Sequence, residues 1–302
     1  MNKVEGYITV IGISISLLAY IHLIGTYMYF EKLRTHQNYT IVSLCAALLL
    51  SEIIILAQNA VNNNASLCTA FAVLLHHFLL VSYLWVAIIG ISIAIRFKTQ
   101  RPYNRETESK LFHRASIVAW SMPAFLVLVL LLLDKTGTPI GYGKYFDACW
   151  ITYKTARIAA YIVPVYTILL GVFVILVWLL HKIRHQSQQS AAVLGRGGIS
   201  LSQLVRMTLQ LIVVLGLVEI FGLVQGHSDD DKTFAVFRLL YTLFRSFRGA
   251  LIWLFYVPLQ RQVVTELKNT CTYKLITSRS QSSPRTEATT TSTNDHSAES
   301  ML

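Results

Sequence analysis

Long runs of apolar residues alternate with short polar segments along most of the chain. A membrane-spanning helix needs about 20 mostly apolar residues. Seven segments meet this requirement, at about 6–30, 38–60, 67–95, 113–133, 157–181, 204–225 and 234–257. The pattern predicts an all-α membrane protein, a seven-transmembrane helix bundle. No internal repeat is visible, which disfavours an inverted-repeat transporter.

The segments outside the spans predict three further regions. Residues 1–5 form a short N-terminus, and residues 6–257 form the seven-transmembrane domain. Residues 258–270 mix apolar and basic side chains, which predicts a short amphipathic eighth helix on the membrane surface. Residues 271–302 are rich in Ser and Thr and poor in apolar residues, so we expect a disordered tail. Phosphorylation of this tail could recruit a regulatory partner such as arrestin.

Composition and charge support a membrane protein with a defined orientation. Charged residues make up 14% of the chain, against about 25% in soluble domains. The 26 basic residues exceed the 15 acidic ones, which on a soluble protein would suggest nucleic acid. Here most of them lie in loops on one side of the spans, so we expect no nucleic-acid partner. The positive-inside rule places that side in the cytoplasm and the N-terminus outside the cell.

Two of the four cysteines are candidates for a disulfide. Cys68 begins the third span and Cys149 lies in the second outer loop, so both face an oxidising compartment and a disulfide is favoured. Two free thiols remain the alternative. The adjacent His76 and His77 point about 100° apart on a helix and cannot chelate one ion together. We expect no metal site and no other cofactor.

A set of motifs follows the spans in order. They are YMYFEKLRTHQN between the first two spans, Ser43–Glu52 in the second, Leu67–Trp85 in the third, Ala119–Ala124 in the fourth, Cys149-Trp150 in an outer loop, Pro164 in the fifth, Leu215–Leu223 in the sixth and Phe244–Tyr256 in the seventh. Together they resemble the adhesion receptors, the latrophilin-type branch of the secretin-like receptors, over about residues 6–268. The resemblance implies a plasma-membrane receptor, not an enzyme, that passes a signal from an extracellular or tethered peptide agonist to a heterotrimeric G protein.

The chain departs from the family pattern at polar positions. The family's third-helix glutamate is Ile89, and a frequent second-helix histidine is replaced by Ile41. Glu219 stands where the family has a sixth-helix tryptophan, and Arg245 and Arg248 stand in the seventh-helix motif. A charge in the bilayer core costs at least a few kcal/mol unless it is paired or reaches water. We expect an ion pair between Glu219 and Arg245 or Arg248. The alternative is a protonated or hydrated Glu219 with the arginines on backbone carbonyls.

Two groups of residues are candidates for binding. The resemblance implies that one group lines the agonist cavity, although ordinary helix packing is the alternative for its aromatic members: Phe78, Trp85, Trp150, Glu219, Phe221 and Arg245. The second group is Arg34, Arg96 and Arg206, basic residues at the cytoplasmic side that could contact a G protein or lipid head groups.

Other functions stay open beside the receptor hypothesis. The chain could be a fragment of a secretin-like peptide receptor or a receptor-like membrane protein that does not signal. A transporter or channel is less favoured, and a retinal pump is disfavoured because residues 234–257 contain no lysine for a Schiff base. Adhesion receptors normally carry a long extracellular region before the first helix. We therefore expect either a piece of a longer product or a receptor without a tethered agonist.

Overall fold

The structure, a computed structural model, describes residues 3–61, 64–99, 105–136, 141–145, 148–190, 201–227 and 231–270. Seven helices account for most of these residues. The first four are Lys3–Tyr29, His36–Val61, Ala65–Thr99 and Arg105–Lys135. The fifth begins with Lys154–Arg157, passes through a π-helical turn at Ile158–Ile162 and continues as Val163–Ser190. The sixth is Leu201–His227, and the seventh has two parts, Asp231–Ser246 and Arg248–Tyr256.

Most of these helices have the length and composition of membrane spans. Within the described ranges, five are long and apolar enough to cross a bilayer, namely Glu5–Tyr29, His36–Gln58, Ala65–Lys98, Glu106–Lys135 and Lys154–Lys182. The sixth contributes a shorter apolar stretch, Thr208–Gly222. The seventh carries three arginines and is divided into two shorter parts.

The third helix forms the centre of the bundle. It packs against the second, fourth, fifth and sixth helices, and it is apolar on all sides, as expected for an enclosed helix. Leu18 of the first helix and Phe125 of the fourth are both 69% exposed. Such outward apolar side chains form the lipid-facing surface of a membrane bundle.

A β-hairpin covers one end of the bundle, which we call the disulfide end. Its strands, Tyr142–Tyr145 and Ala148–Ile151, are antiparallel, with Lys144 opposite Cys149. The predicted disulfide is present and joins Cys149 to Cys68 at the start of the third helix, with 5.2 Å between the Cα atoms. The Gln58 amide donates to the Cys149 carbonyl at 3.1 Å and accepts from the Cys149 N–H at 3.4 Å. The hairpin is thereby attached to the second and third helices.

The opposite end, where Arg34, Arg96 and Arg206 lie, is called the basic end. A further helix over residues 261–270 packs there and buries Val263. Its Glu266 pairs with Lys32 at 3.0 Å, and Tyr27 donates to the Tyr256 carbonyl at 2.7 Å. The predicted tail at 271–302 lies outside the described residues.

Candidate functional site

A buried ion pair joins the second and seventh helices. Arg248 Nη2 donates to Glu52 Oε1 at 2.7 Å, and the two side chains are 2% and 0% exposed. Tyr20 of the first helix lies beside the pair and is fully buried. In a low-dielectric interior such a pair interacts far more strongly than on a protein surface. Three helices therefore meet at one charged contact.

A break in the seventh helix positions this arginine. The helix is interrupted at Phe247, between Ser246 and Arg248. Ser16 of the first helix bridges the break, since its Oγ donates to the Ser246 carbonyl at 2.6 Å and accepts from the Gly249 N–H at 3.1 Å. One side chain thus satisfies a carbonyl and an amide on the two sides of the interruption, as buried backbone groups require.

Glycine permits the first and seventh helices to approach closely at this point. A Cβ on Gly249 would lie 2.7 Å from the Ser16 carbonyl oxygen and 2.7 Å from the Tyr20 ring. A Cβ on Gly12 would lie 2.6 Å from Ser246 Cβ. Because real Cβ atoms do not approach neighbours so closely, larger residues would push the seventh helix away and move Arg248 from Glu52.

A second polar contact joins the third, fifth and sixth helices. Glu219 accepts hydrogen bonds from the Tyr83 hydroxyl and, at 3.0 Å, from the Tyr161 hydroxyl, both at Oε1. The predicted ion pair between Glu219 and Arg245 or Arg248 is therefore wrong. Arg248 is held by the second-helix carboxylate, and Arg245 Nη1 donates to the Tyr241 hydroxyl at 2.8 Å.

Sequence reasoning missed Glu52 as the partner of Arg248, although a signal was present. Glu52 is an acidic residue within the apolar second helix. The free-energy cost of an unpaired charge in the bilayer core, which predicts a partner for Glu219, therefore applies equally to Glu52.

The hairpin is connected to the Glu219 contact through aromatic residues. The His76 ring nitrogens lie 2.8 Å from the Tyr142 hydroxyl and 3.2 Å from the Ala160 carbonyl. A carbonyl only accepts, so Nε2 carries the proton and Nδ1 accepts from Tyr142. Burial raises the pKa of the Tyr142 phenol, which keeps its donor proton in place. The Trp150 ring meets the Tyr161 ring edge-on at 5.1 Å.

Comparison with protein families decides what this bundle is. The family described as 7 transmembrane receptor (Secretin family) matches residues 3–252. The chain belongs to this receptor family. It is a membrane protein with the family's seven-transmembrane helix bundle.

Curated relatives of the receptor include three adhesion receptors. Adhesion G-protein coupled receptor G2 of Mus musculus is 28% identical over 272 residues, covering 85% of this chain and 26% of the relative. Adhesion G protein-coupled receptor E1 of Homo sapiens is 26% identical over 267 residues, covering 87% and 29%. Adhesion G protein-coupled receptor L1 of Bos taurus is 28% identical over 264 residues, covering 86% and 17%. The chain therefore spans less than a third of the length of each relative.

Two of the aromatic residues predicted to line the receptor's ligand cavity face the fourth helix. Phe78 meets Trp120 edge-on at 6.2 Å, and Trp85, fully buried, stacks on Phe112 at 5.8 Å. The two are seven residues apart and so lie on one face of the third helix. These contacts agree with the alternative of ordinary helix packing on this face, and a role of Phe78 and Trp85 in lining the ligand cavity stays a prediction.

The remaining predicted cavity residues lie toward the interior of the receptor. Trp150 contacts His76 and Tyr161 at the disulfide end. Phe221 of the sixth helix packs against Phe244 of the seventh at 5.3 Å. The structure thus brings Trp150 near Glu219 through Tyr161, and it brings Phe221 to the helix that carries Arg245.

The three arginines of the basic end have different environments. Arg34 Nε donates to the Met28 carbonyl at 2.9 Å. Arg96 pairs with Glu108 of the fourth helix at 3.0 Å, whereas Arg206 is exposed on the sixth helix. Among the described residues, no group of three His, Cys, Asp or Glu side chains is arranged to hold a metal ion.

Proposed function

We propose that this chain is a cell-surface G-protein-coupled receptor of the adhesion type. It would pass a signal from an extracellular or tethered peptide agonist to a heterotrimeric G protein. The observation that carries the proposal is the match of residues 3–252 to the secretin-family receptors. Relatives whose names identify them as adhesion G-protein-coupled receptors support the same assignment. The positive-inside count supports a plasma-membrane orientation with the N-terminus outside.

The Glu219 contact supports a role for the sixth helix in the switch. A receptor changes activity when an agonist binds one arrangement of the bundle better than another. The hydrogen bonds from Tyr83 and Tyr161 hold the sixth helix to the third and fifth helices. An agonist that competes for Glu219 would loosen this attachment and let the sixth helix move, opening a cleft at the basic end.

Charged residues at the basic end would meet the intracellular partner. Arg206, which is exposed on the sixth helix, would contact a G protein, and Arg34 and Arg96 would contact a G protein or lipid head groups. Membrane lipids with anionic head groups are attracted to such residues by about 1 kcal/mol each. Arrestin would bind through a phosphorylated tail.

The second candidate is a receptor-like membrane protein that does not signal. The buried Glu52–Arg248 pair favours it, because a pair this enclosed would hold the second and seventh helices in one arrangement. Opening it without a new partner would leave two charges buried and unpaired, at a cost of several kcal/mol.

A G-protein activation assay in cells distinguishes the two candidates. Receptor carrying an N-terminal epitope tag would be quantified at the surface of intact cells and tested for basal activation of each G-protein class. We expect surface staining without permeabilisation and activation of at least one class above vector. Arg206→Glu should lower that activation at equal surface level, with Arg114→Glu on the fourth helix as the charge-matched control. Normal surface expression with no activation of any class would favour the non-signalling candidate.

A further inference from the structure

The charge of Glu219 has no cationic partner within ion-pair distance among the described residues. The arginines expected to neutralise it are engaged elsewhere, Arg248 with Glu52 and Arg245 with Tyr241. Its two hydrogen bonds come from neutral tyrosine hydroxyls. A carboxylate inside a membrane bundle is costly unless a positive charge or water reaches it. This position is therefore suited to a cation that the protein itself does not supply.

Among the described residues, hydrogen bonds reach only one of the two carboxylate oxygens of Glu219. Tyr83 and Tyr161 both donate to Oε1, and Oε2 receives no hydrogen bond from the residues the structure describes. Glu219 as a whole is partly exposed.

The surroundings favour an organic cation over a metal ion. Calcium and magnesium take six or more oxygen ligands, with several carboxylates or waters among them, and the described residues contain no group of three His, Cys, Asp or Glu side chains that could hold such an ion. Aromatic rings are present instead, since Tyr161 lies between Glu219 and the Trp150 ring. A carboxylate beside aromatic rings is the combination that binds an ammonium group, by a charge-assisted hydrogen bond and by attraction to the ring faces.

We propose that Glu219 is the recognition site for the ammonium group of an agonist, bound through Oε2 with Tyr161 and Trp150 beside it. The ammonium could belong to the amino terminus of a peptide or to a small amine. The proposal deepens the proposed function by naming the chemistry of its agonist. Binding itself requires no G protein, so it can be tested separately from signalling.

Thermal unfolding of the purified full chain in lipid nanodiscs provides the test. One pair of probes is 2-phenylethylamine and its neutral isostere 2-phenylethanol. A second pair is Phe-Leu amide with a free amino terminus and the same dipeptide acetylated. We expect a saturable rise in Tm of roughly 3–6 °C at about ten times the dissociation constant for the ammonium-bearing probes, and no such rise for their neutral counterparts. A response to the dipeptide alone identifies a peptide terminus, and a response to phenylethylamine alone identifies a small amine.

Substitutions assign the response to Glu219. Glu219→Gln keeps an oxygen acceptor for the two tyrosines and removes the charge, so the rise should disappear. Glu5→Gln removes an acidic charge that pairs with Arg238 near the same end of the bundle, and it should leave the rise intact. If Glu219→Gln does not fold, Tyr161→Phe is tested with the same probes, because it keeps the Glu219 carboxylate and removes one of its two hydrogen bonds. The ammonium-dependent rise should then be smaller than in the unaltered chain, and an unchanged rise would overturn the assignment to Glu219.

Equal responses to charged and neutral probes, no response to either ammonium probe, or a full response in Glu219→Gln would each overturn the proposal. The signalling assay can fail independently of this binding test. An ammonium-dependent rise in Tm in a chain that activates no G protein would support the binding site and contradict the receptor mechanism.

Discussion

Arg248 and Glu52 form a salt bridge of 2.7 Å between the seventh and second helices, and neither side chain is more than 2% exposed. The pair lies beside the break at Phe247, which is bridged by Ser16. The second and seventh helices are therefore joined by a charged contact next to an interruption of the seventh helix.

Removing one charge of this pair should be far more harmful than removing both. Glu52→Gln or Arg248→Gln leaves one buried charge unpaired, so we expect each to lower stability by about 3–5 kcal/mol. Glu52→Leu with Arg248→Met removes both charges and should recover most of that loss. Fluorescence-detected thermal unfolding of detergent-solubilised protein measures the difference. A double variant no better than the single variants would show that the contact is not a coupled pair.

Replacing Gly249 with alanine should separate the first and seventh helices. The new Cβ would meet the Ser16 carbonyl oxygen and the Tyr20 ring at 2.7 Å, and overpacking of this kind costs about 1–3 kcal/mol. Gly216→Ala on the sixth helix is the matched control because a Cβ there meets nothing within 4 Å. We expect a lower Tm for Gly249→Ala only. Equal Tm values for the two variants would contradict the close approach.

Ser16→Ala should destabilise the break in the seventh helix. The change removes the donor to the Ser246 carbonyl and the acceptor for the Gly249 N–H, and each unsatisfied buried group costs about 1–3 kcal/mol. Ser14→Ala serves as the control, since Ser14 bonds only locally, to the Val10 carbonyl, on an exposed face. Hydrogen exchange followed by mass spectrometry should show faster exchange at 246–249 in Ser16→Ala alone. Unchanged exchange there would argue against the bridge.

Loss of the Cys68–Cys149 disulfide should lower the surface level of the receptor. The bond closes a loop with a sequence separation of 81, and native disulfides typically contribute about 2–5 kcal/mol. Cys68→Ser with Cys149→Ser should therefore reduce surface staining and Tm. Cys45→Ala, at the buried free cysteine, controls for the loss of a thiol. Similar surface levels in both variants would mean that the hairpin needs no covalent attachment.

The amino-acid sequence was sufficient to predict the bundle and its disulfide. Apolar runs long enough for a bilayer predict the helices, and Cys68 and Cys149 fall at positions that the hairpin brings together. The pairing of charges could not be predicted in the same way. The direction of Arg248 depends on the break at Phe247 and on the approach of the first helix at Ser16 and Gly249, and both are tertiary features.

The neighbours of the aromatic residues of the third helix could not be predicted from the sequence for the same reason. Because this helix is apolar on every side, its sequence has no periodicity that separates an interior face from a face against the fourth helix. The contacts of Phe78 with Trp120 and of Trp85 with Phe112 are tertiary features that no sequence periodicity indicates. Glu219 likewise has neighbours that the sequence did not predict, since tyrosines on two other helices supply its hydrogen bonds.

The Gln58 amide acts on the hairpin as a third strand would. It gives and receives the same two hydrogen bonds at Cys149 that a neighbouring peptide group exchanges in an antiparallel sheet. Two-stranded hairpins are marginally stable alone. The Gln58 side chain adds a further pair of hydrogen bonds to the sheet and shields part of its edge. The second helix thereby holds the hairpin through hydrogen bonds to the hairpin backbone. The hairpin would therefore stay partly docked even after the Cys68–Cys149 disulfide is reduced.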